Sequence, residues 1–384
     1  MWRFHWWKIN FLWHCVGDTY EEEAVYQKLR RGLELLGGLE RFVSPREKIL
    51  LKPNLVRRAE NDRAVVTHPA VAGAMARLLR EAGCGQIWCG DSCGIGSAVK
   101  AMEGAGMDRV LKNYGVELKE FNEAVEVSFP EGKMAGEFLL ARPVTEADAL
   151  INLCKMKTHA LERITGGVKN LYGCVSGLNK AKGHTKYSNA DSFARMLVDL
   201  NRLVQPRLCV MDGIMAMEGN GPTSGDPIPM NLLLMSADPV ALDTVFARLV
   251  HLDPRLVPTI VHGDATGLGC GREEEIRLLG EEGPLSMNEV VRRWGNPDFQ
   301  VDRSRRRSNM WSRVNSFLKC FQKKPYIVEN DCKRCGVCVS SCPVEGKALR
   351  FQDGKAHPPV YDYRKCIRCF CCQEMCPYGA IRVK

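Results

Sequence analysis

The chain has 384 residues, with 54 Lys and Arg against 45 Asp and Glu, a formal net charge of +9, and a composition that is 45% hydrophobic and 26% charged. Such a length supports two to three domains, and such proportions belong to folded globular chains, which excludes wholesale disorder. No stretch reaches the roughly 18 uncharged apolar residues of a membrane span, so no transmembrane segment is expected.

The opening residues, MWRFHWWKINFLWHCV, are aromatic but interrupted by Arg3, His5, Lys8, Asn10 and His14. They lack the continuous apolar core and small-residue cleavage site of a signal peptide. Residues 1–14 read as a leader, and 9–16 as a first strand. Apolar runs then alternate with helical patterns. Residues 48–53, 85–90, 149–153, 207–211 and 231–235 predict strands; 69–81, 97–104, 192–203 and 239–250 predict helices, the first and last opening with proline or an Asp-Pro cap. This alternation predicts an α/β domain over residues 15–300, with a largely parallel sheet covered by helices.

Ligands in such folds sit beyond the carboxyl ends of the strands, so the loops there carry the functional reading. The turn Gly90-Asp-Ser-Cys-Gly-Ile-Gly-Ser97 matches no full phosphate-binding fingerprint and reads as a plain strand-to-helix turn. Residues 155–186 are richer, with seven Lys or Arg against Glu162 alone, interleaved with His159, His184 and several glycines. Cations gathered at a strand end on permissive backbone suit an anionic ligand; a solvated lysine-rich loop is the plainer alternative. Lys157, Lys169 and Lys180 are candidates to hold the anion, and His159 or His184 to supply a proton, because imidazole titrates near neutral pH. Lys157, His159, Lys169 and His184 are the candidate catalytic residues. Lys155, Asn170, Lys180, Asp212 and Glu218 are candidates for cofactor binding. Asp238, before Pro239, reads as a helix cap.

The segments Leu51-Lys-Pro-Asn-Leu, Gly90-Asp-Ser, Lys155-Met-Lys-Thr-His159, Thr165-Gly-Gly-Val-Lys-Asn-Leu-Tyr-Gly173, Asp212 to Pro222 and Asp238 to Asp243 follow one another in an order that resembles the family known as domain of unknown function 362. The resemblance spans roughly residues 15–300. It departs at Cys93, where the pattern after Gly-Asp-Ser has proline. It implies a frequent fusion to a C-terminal dicluster ferredoxin and no general activity.

Residues 301–325 read as a basic linker, with eight Lys or Arg against Asp302 alone. Within it Trp311, Val314, Phe317, Leu318 and Phe321 recur at helical spacing, which predicts a short amphipathic helix docked as a connector, with contact to a membrane surface or a partner as the alternative. The cysteines fall into two populations. Nine of the 18 are scattered through the chain and read as small buried hydrophobes in a reducing compartment, the cytoplasm. Nine crowd into residues 332–376.

There the pattern Cys-x2-Cys-x2-Cys-x3-Cys-Pro occurs twice, at Cys332, Cys335, Cys338, Cys342 and at Cys366, Cys369, Cys372, Cys376. Three thiolates on one loop wrap three corners of an iron–sulfur cube, and the fourth, before proline, serves the other cube. Cys332, Cys335, Cys338 and Cys376 are therefore expected on one [4Fe-4S] cluster, and Cys366, Cys369, Cys372 and Cys342 on a second. Zinc knuckles do not use a third cysteine at this spacing. Cys371 has no place in the pattern and reads as a packing residue or a neighbour of the cluster ligands, with a ligand swap with Cys372 as the alternative. Residues 326–384 resemble a bacterial-type dicluster ferredoxin. The resemblance implies a small α+β module with edge strands near 326–328 and 380–383.

Together these readings predict an iron–sulfur electron-transfer protein and a candidate oxidoreductase, whose ferredoxin module relays single electrons to or from an anionic substrate or cofactor in the α/β domain. The alternative is a non-enzymatic adaptor exchanging electrons with an acidic redox partner protein. No nucleic-acid partner is expected, because the basic excess sits in a linker rather than on a recognition face.

Overall fold

The structure, a computed structural model, describes residues 9–14, 20–94, 96–177, 179–305 and 323–384. Most of the expected leader, Cys15, Cys320 and the expected amphipathic helix lie outside them.

The chain builds one ten-stranded sheet and a small C-terminal module. The strands of the sheet, in chain order, are β1 (Ile9–His14), β2 (Lys48–Pro53), β3 (Gln86–Asp91) and β4 (Glu117–Glu120). A separate hairpin, β5 (Ala124–Ser128) and β6 (Glu137–Ala141), comes next. The sheet resumes with β7 (Ala149–His159), β8 (Arg163–Thr165), β9 (Leu208–Glu218), β10 (Asp226–Ser236), β11 (Arg277–Gly280) and β12 (Gly283–Leu285). Its order is β12-β11-β1-β10-β9-β7-β2-β3-β4, with β8 paired to β7. The run β9-β7-β2-β3-β4 is wholly parallel. β10 runs antiparallel to both its neighbours, β9 and β1.

Helices cover both faces, and the period-two alternation of the strands sorts side chains between two cores. Leu50 and Leu150 enter one core, with Leu197 and Phe246. Ile49, Leu51, Ile151 and Leu153 enter the other, with Val71 and Leu79 of the helix Pro69–Glu81. That helix starts where the fixed φ of Pro69 fits a first helical position and His68 Nδ1 accepts the Ala70 amide. Asp238 caps the helix Pro239–Leu249 by accepting the Val240 and Ala241 amides. The described scattered cysteines Cys84, Cys89, Cys93, Cys154, Cys174 and Cys209 are free and buried, and Cys270 is buried.

Two stretches read as loops prove regular. β7 and β9 run eleven residues each, so that Lys155, Lys157 and His159 lie on a strand rather than after it, as do Asp212 and Glu218. The strands extend because β7 gains β8 as a second partner and pairs with β9 as far as Met217. The basic segment Asn179–Lys186 is a helix.

The C-terminal module contains β13 (Pro325–Ile327), β14 (Leu349–Arg350), β15 (Val360–Tyr361) and β16 (Ile381–Val383), paired β13–β16 and β14–β15, both antiparallel. Two four-residue helices, Val337–Ser340 and Cys371–Glu374, complete it. The sequence repeat is also a backbone repeat. Arg334 and Arg368 have φ of 53° and 59°, and the helix caps Gly336 and Phe370 have 85° and 63°. Each cysteine loop thus passes twice through the left-handed region.

Candidate functional site

The repeated turns in the C-terminal module shape two concave sites. One is lined by Cys332, Cys335, Cys338 and Cys376. The other is lined by Cys342, Cys366, Cys369 and Cys372. Each site takes three thiols from one repeat and one from the other, which is the donor set an iron–sulfur cube requires. Among the described residues no three His, Cys, Asp or Glu side chains converge on a point fit for a single metal ion. Thiols around a cube stand further apart than ligands around one zinc, and a third cysteine in each loop at this spacing fits a cube. Burial pushes the Cys338 thiol up to about 12 and raises that of Cys366, with neighbouring thiols adding to both. Cys335 is exposed, whereas Cys342, Cys369 and Cys372 are buried. Cys371, the ninth thiol, is buried, and Cys369 beside it together with burial raises it well above the usual thiol range.

The module is docked over the carboxyl ends of β7 and β9. Gln373 is completely buried, and its Nε2 donates to Asn220 O at 2.9 Å, Asn220 Oδ1 at 2.9 Å and Gly221 O at 3.0 Å. Thr223 Oγ1 donates to Glu374 O at 2.8 Å, and Asn220 Nδ2 to Ile381 O at 3.0 Å. Arg57 bridges from the other side, donating to Thr223 O at 3.1 Å and Pro377 O at 3.4 Å. Polar groups buried at such a seam cost free energy unless paired, so these bonds hold one docking position.

Docking inserts Glu374 into the α/β domain. Its Oε1 lies 2.8 Å from His159 Nε2, with the carboxylate 9% exposed. His159 Nδ1 accepts the amides of Leu161 and Glu162, both at 3.1 Å. The proton of the neutral ring is therefore on Nε2. Burial, with Lys169 adding to it, brings His159 down to about 4. Burial tends to raise Glu374, but His159, Lys169 and His184 outweigh it and hold the carboxyl below its usual range. His184 stacks on Phe193 with ring centroids 4.6 Å apart, and burial lowers it to about 4. Lys169 is half-buried and makes no hydrogen bond or ion pair among the described residues. Glu162 is fully buried with neither oxygen bonded, and burial raises it to about 8.

A second network lies beside this corner. Lys157 Nζ donates to Asn54 Oδ1 at 2.7 Å and Val65 O at 2.8 Å. Burial first, then Lys169 and Lys155, hold it well below the usual lysine range. Asn54 Nδ2 and Lys52 Nζ both donate to Asn170 Oδ1, at 2.8 and 3.2 Å. Lys52 also pairs with Asp91 at 2.9 Å, both being buried. Gly173 is required here, because a Cβ would stand 1.8 Å from Asp91 Oδ1 and 2.5 Å from Lys52 Nζ. Lys180 donates to Ser92 O.

The remaining candidates point elsewhere. Lys155 and Asp212 pair at 2.8 Å, with the Tyr20 hydroxyl donating to Asp212 at the same distance. Glu218 accepts the Gln300 amide at 2.7 Å. The structure thus gathers His159, His184 and Lys169 with Lys157 alongside, and it adds Glu374, Glu162, Lys52 and Asp91. Glu374 carried no motif signal of its own, because it lies inside the second cysteine repeat and only docking brings it to β7.

The domain of unknown function DUF362 matches residues 49–248, and a 4Fe-4S dicluster domain matches residues 324–377. A thylakoid-associated protein of Synechocystis sp. is 39% identical over 252 residues, covering 65% of this chain and 78% of that protein. An iron-sulfur subunit of the CoB–CoM heterodisulfide reductase of Methanocaldococcus jannaschii is 37% identical over 83 residues, 18% of this chain and 13% of that protein. Among solved structures, the lactate racemase apoprotein from Thermoanaerobacterium thermosaccharolyticum superposes with a TM-score of 0.42 at 10% identity, over 61% of this chain and 56% of that one. No helix among the described residues is long and apolar enough to cross a membrane. The chain belongs to the family described as domain of unknown function DUF362, and its C-terminal module is a 4Fe-4S dicluster domain.

Proposed function

We propose that this protein is an iron–sulfur oxidoreductase that exchanges single electrons with a small anionic molecule held between His159, His184 and Lys169. Two [4Fe-4S] clusters would be held by Cys332, Cys335, Cys338, Cys376 and by Cys342, Cys366, Cys369, Cys372. When bound, they supply one-electron storage and transfer. The observation that carries the reading is the insertion of Glu374, two residues from Cys372 and two from Cys376, into the corner beside His159. It sets the cluster module directly against the candidate substrate site. Lys169 offers a positive charge with no partner among the described residues, and His159 offers an Nε2 proton. Lys157, Lys155, Lys180, Asn170 and Asp212 hold the strand ends through buried bonds and preorganise the corner, while Glu218 holds the backbone at Gln300.

A redox partner would meet the exposed side of the module, where Cys335 is flanked by exposed Lys333 and Arg334. The working parts are residues 15–300 and 326–384, joined by the basic linker 301–325. The free, buried thiols of Cys84, Cys89, Cys93, Cys154, Cys174 and Cys209 support a reducing compartment, the cytoplasm.

The test is anaerobic reduction of the holoprotein with dithionite, followed by a screen of small carboxylates, phosphates and oxo-acids for reoxidation of the clusters. Stoichiometric reoxidation by one class supports the reading. Clusters that cannot be reversibly reduced, or that no compound reoxidises while an acidic carrier protein does, would replace it with the adaptor reading.

A further inference from the structure

The corner at the end of β7 leaves buried polar atoms without hydrogen bonds: His159 Nε2, Glu374 Oε1, His184 Nδ1 and both oxygens of Glu162. Native interiors rarely leave such atoms orphaned, and a group of them marks a place built for something else. The His159–Glu374 contact itself shows the mismatch. The atoms are at ion-pair distance, 2.8 Å, yet their directions do not form a hydrogen bond. Glu374 brings a negative charge from the cluster module into this corner, where it faces one cation without a partner and two imidazoles. Its neighbour Gln373 makes the docking bonds, so the helix Cys371–Glu374 is seated without needing the carboxylate.

We propose that the His159–His184–Lys169 corner is a carboxylate seat, that Glu374 fills it from within when the cluster module is docked, and that a small carboxylate ligand takes the seat by displacing Glu374. The proposal deepens the substrate-site reading and rests on it for the ligand's role, but not for its binding. The chemistry of the seat favours a planar anion with two oxygens, one for the Lys169 ammonium and one for the His159 Nε2 proton. Because Glu374 is tethered through its own helix, a free carboxylate competes against an occupant of high effective concentration. Wild-type affinity is therefore weak, and the cluster module must shift when the ligand binds.

The experiment uses anaerobic holoprotein with acetate as probe, acetamide as its neutral isostere and inorganic phosphate as the alternative anion. Binding is measured by calorimetry, and hydrogen exchange follows the amides of residues 371–376. Glu374→Gln is expected to bind acetate at least about 10-fold more tightly than the wild type, with acetamide unchanged. In the wild type, saturating acetate is expected to speed exchange at residues 371–376. Lys169→Met is expected to abolish acetate binding. Equal acetate affinity in wild type and Glu374→Gln, equal binding of acetamide, or preference for phosphate would overturn the proposal. Should Glu374→Gln lose its iron, the wild-type exchange measurement decides alone, and unchanged exchange at saturation overturns it. Acetate binding without any electron transfer would retire the substrate reading and leave the seat. Electron transfer to a compound lacking a carboxylate, with no acetate binding, would retire the seat and leave the redox reading.

Discussion

The Glu374 carboxylate stands 2.8 Å from the His159 imidazole, although 215 residues separate the two in the chain. One belongs to a cysteine repeat and the other ends the eleven-residue strand β7. Their contact makes the docked position of the cluster module part of the α/β site.

The two cysteine sets should behave independently. Fully loaded protein is expected to carry about eight irons per chain, with equimolar acid-labile sulfide. Cys335→Ser and Cys369→Ser should each lose about half the iron, and electron paramagnetic resonance of the reduced protein should show a different cluster lost in each. A variant of either kind that keeps all its iron would overturn the ligand assignment.

Docking should depend on a few buried bonds. Thr223→Val removes the donor to Glu374 O, and Gln373→Ala removes three contacts to Asn220 and Gly221. A typical bond of this kind contributes about 0.5–1.5 kcal/mol. Hydrogen exchange in residues 371–383 should rise in both variants, more in Gln373→Ala, while exchange in the sheet stays unchanged. Equal protection in all three proteins would show that the seam is held by something else.

The contribution of Glu162 to stability should fall as pH rises through neutrality. Glu162 is raised from 4.5 to about 8 in the fold, so between those values the folded chain holds a proton that the unfolded chain has lost. Its contribution is present at low pH and lost progressively as pH rises, by up to about 1.4 kcal/mol per unit. His68, His159 and His184, lowered to about 4, act in the opposite sense, but only below their ordinary value of 6.5. Denaturant unfolding of the holoprotein between pH 6.5 and 8 avoids the histidines, but buried Lys155, Lys157 and Lys180, held below the usual lysine range, oppose the carboxyl there. The comparison of two proteins therefore isolates Glu162: as pH rises over that window the wild type should lose stability relative to Glu162→Gln. Parallel slopes would contradict the buried, unpaired state of Glu162.

The Lys52–Asp91 pair should be essential to the α/β domain. Lys52→Met leaves Asp91 buried without its cation, which typically costs about 3–5 kcal/mol. Gly173→Ala attacks the same pair from the backbone side, where a Cβ meets both charged atoms. Both variants should lower the thermal midpoint strongly without changing the iron content of the module. A midpoint within a degree or two of the wild type would mean that the pair contributes little.

Much of this protein is legible in its residues. Strand and helix periodicity identify the α/β class, because burial on both faces of a sheet leaves continuous apolar runs between amphipathic helices. The doubled cysteine pattern shows the cluster chemistry for an equally local reason: thiolates two and three residues apart on one loop can wrap one cube. The ends of β7 and β9 are less legible. Lys155 and Lys157 look like loop residues, because a lysine is rarely buried, and the acceptors Asp212 and Tyr20 Oη for one, Asn54 and Val65 O for the other, make their burial possible. The antiparallel insertion of β10 is likewise invisible in periodicity, which carries no strand order.

The docking of one part on the other is a tertiary result. Gln373 and Glu374 occupy ordinary positions between cysteines, and nothing in their spacing names Asn220, Thr223 or His159 as partners. Local patterns record what neighbouring side chains do to one another. The pairing of groups more than 150 residues apart depends instead on which surfaces can satisfy each other's buried hydrogen bonds and charges, and the folded chain alone settles that.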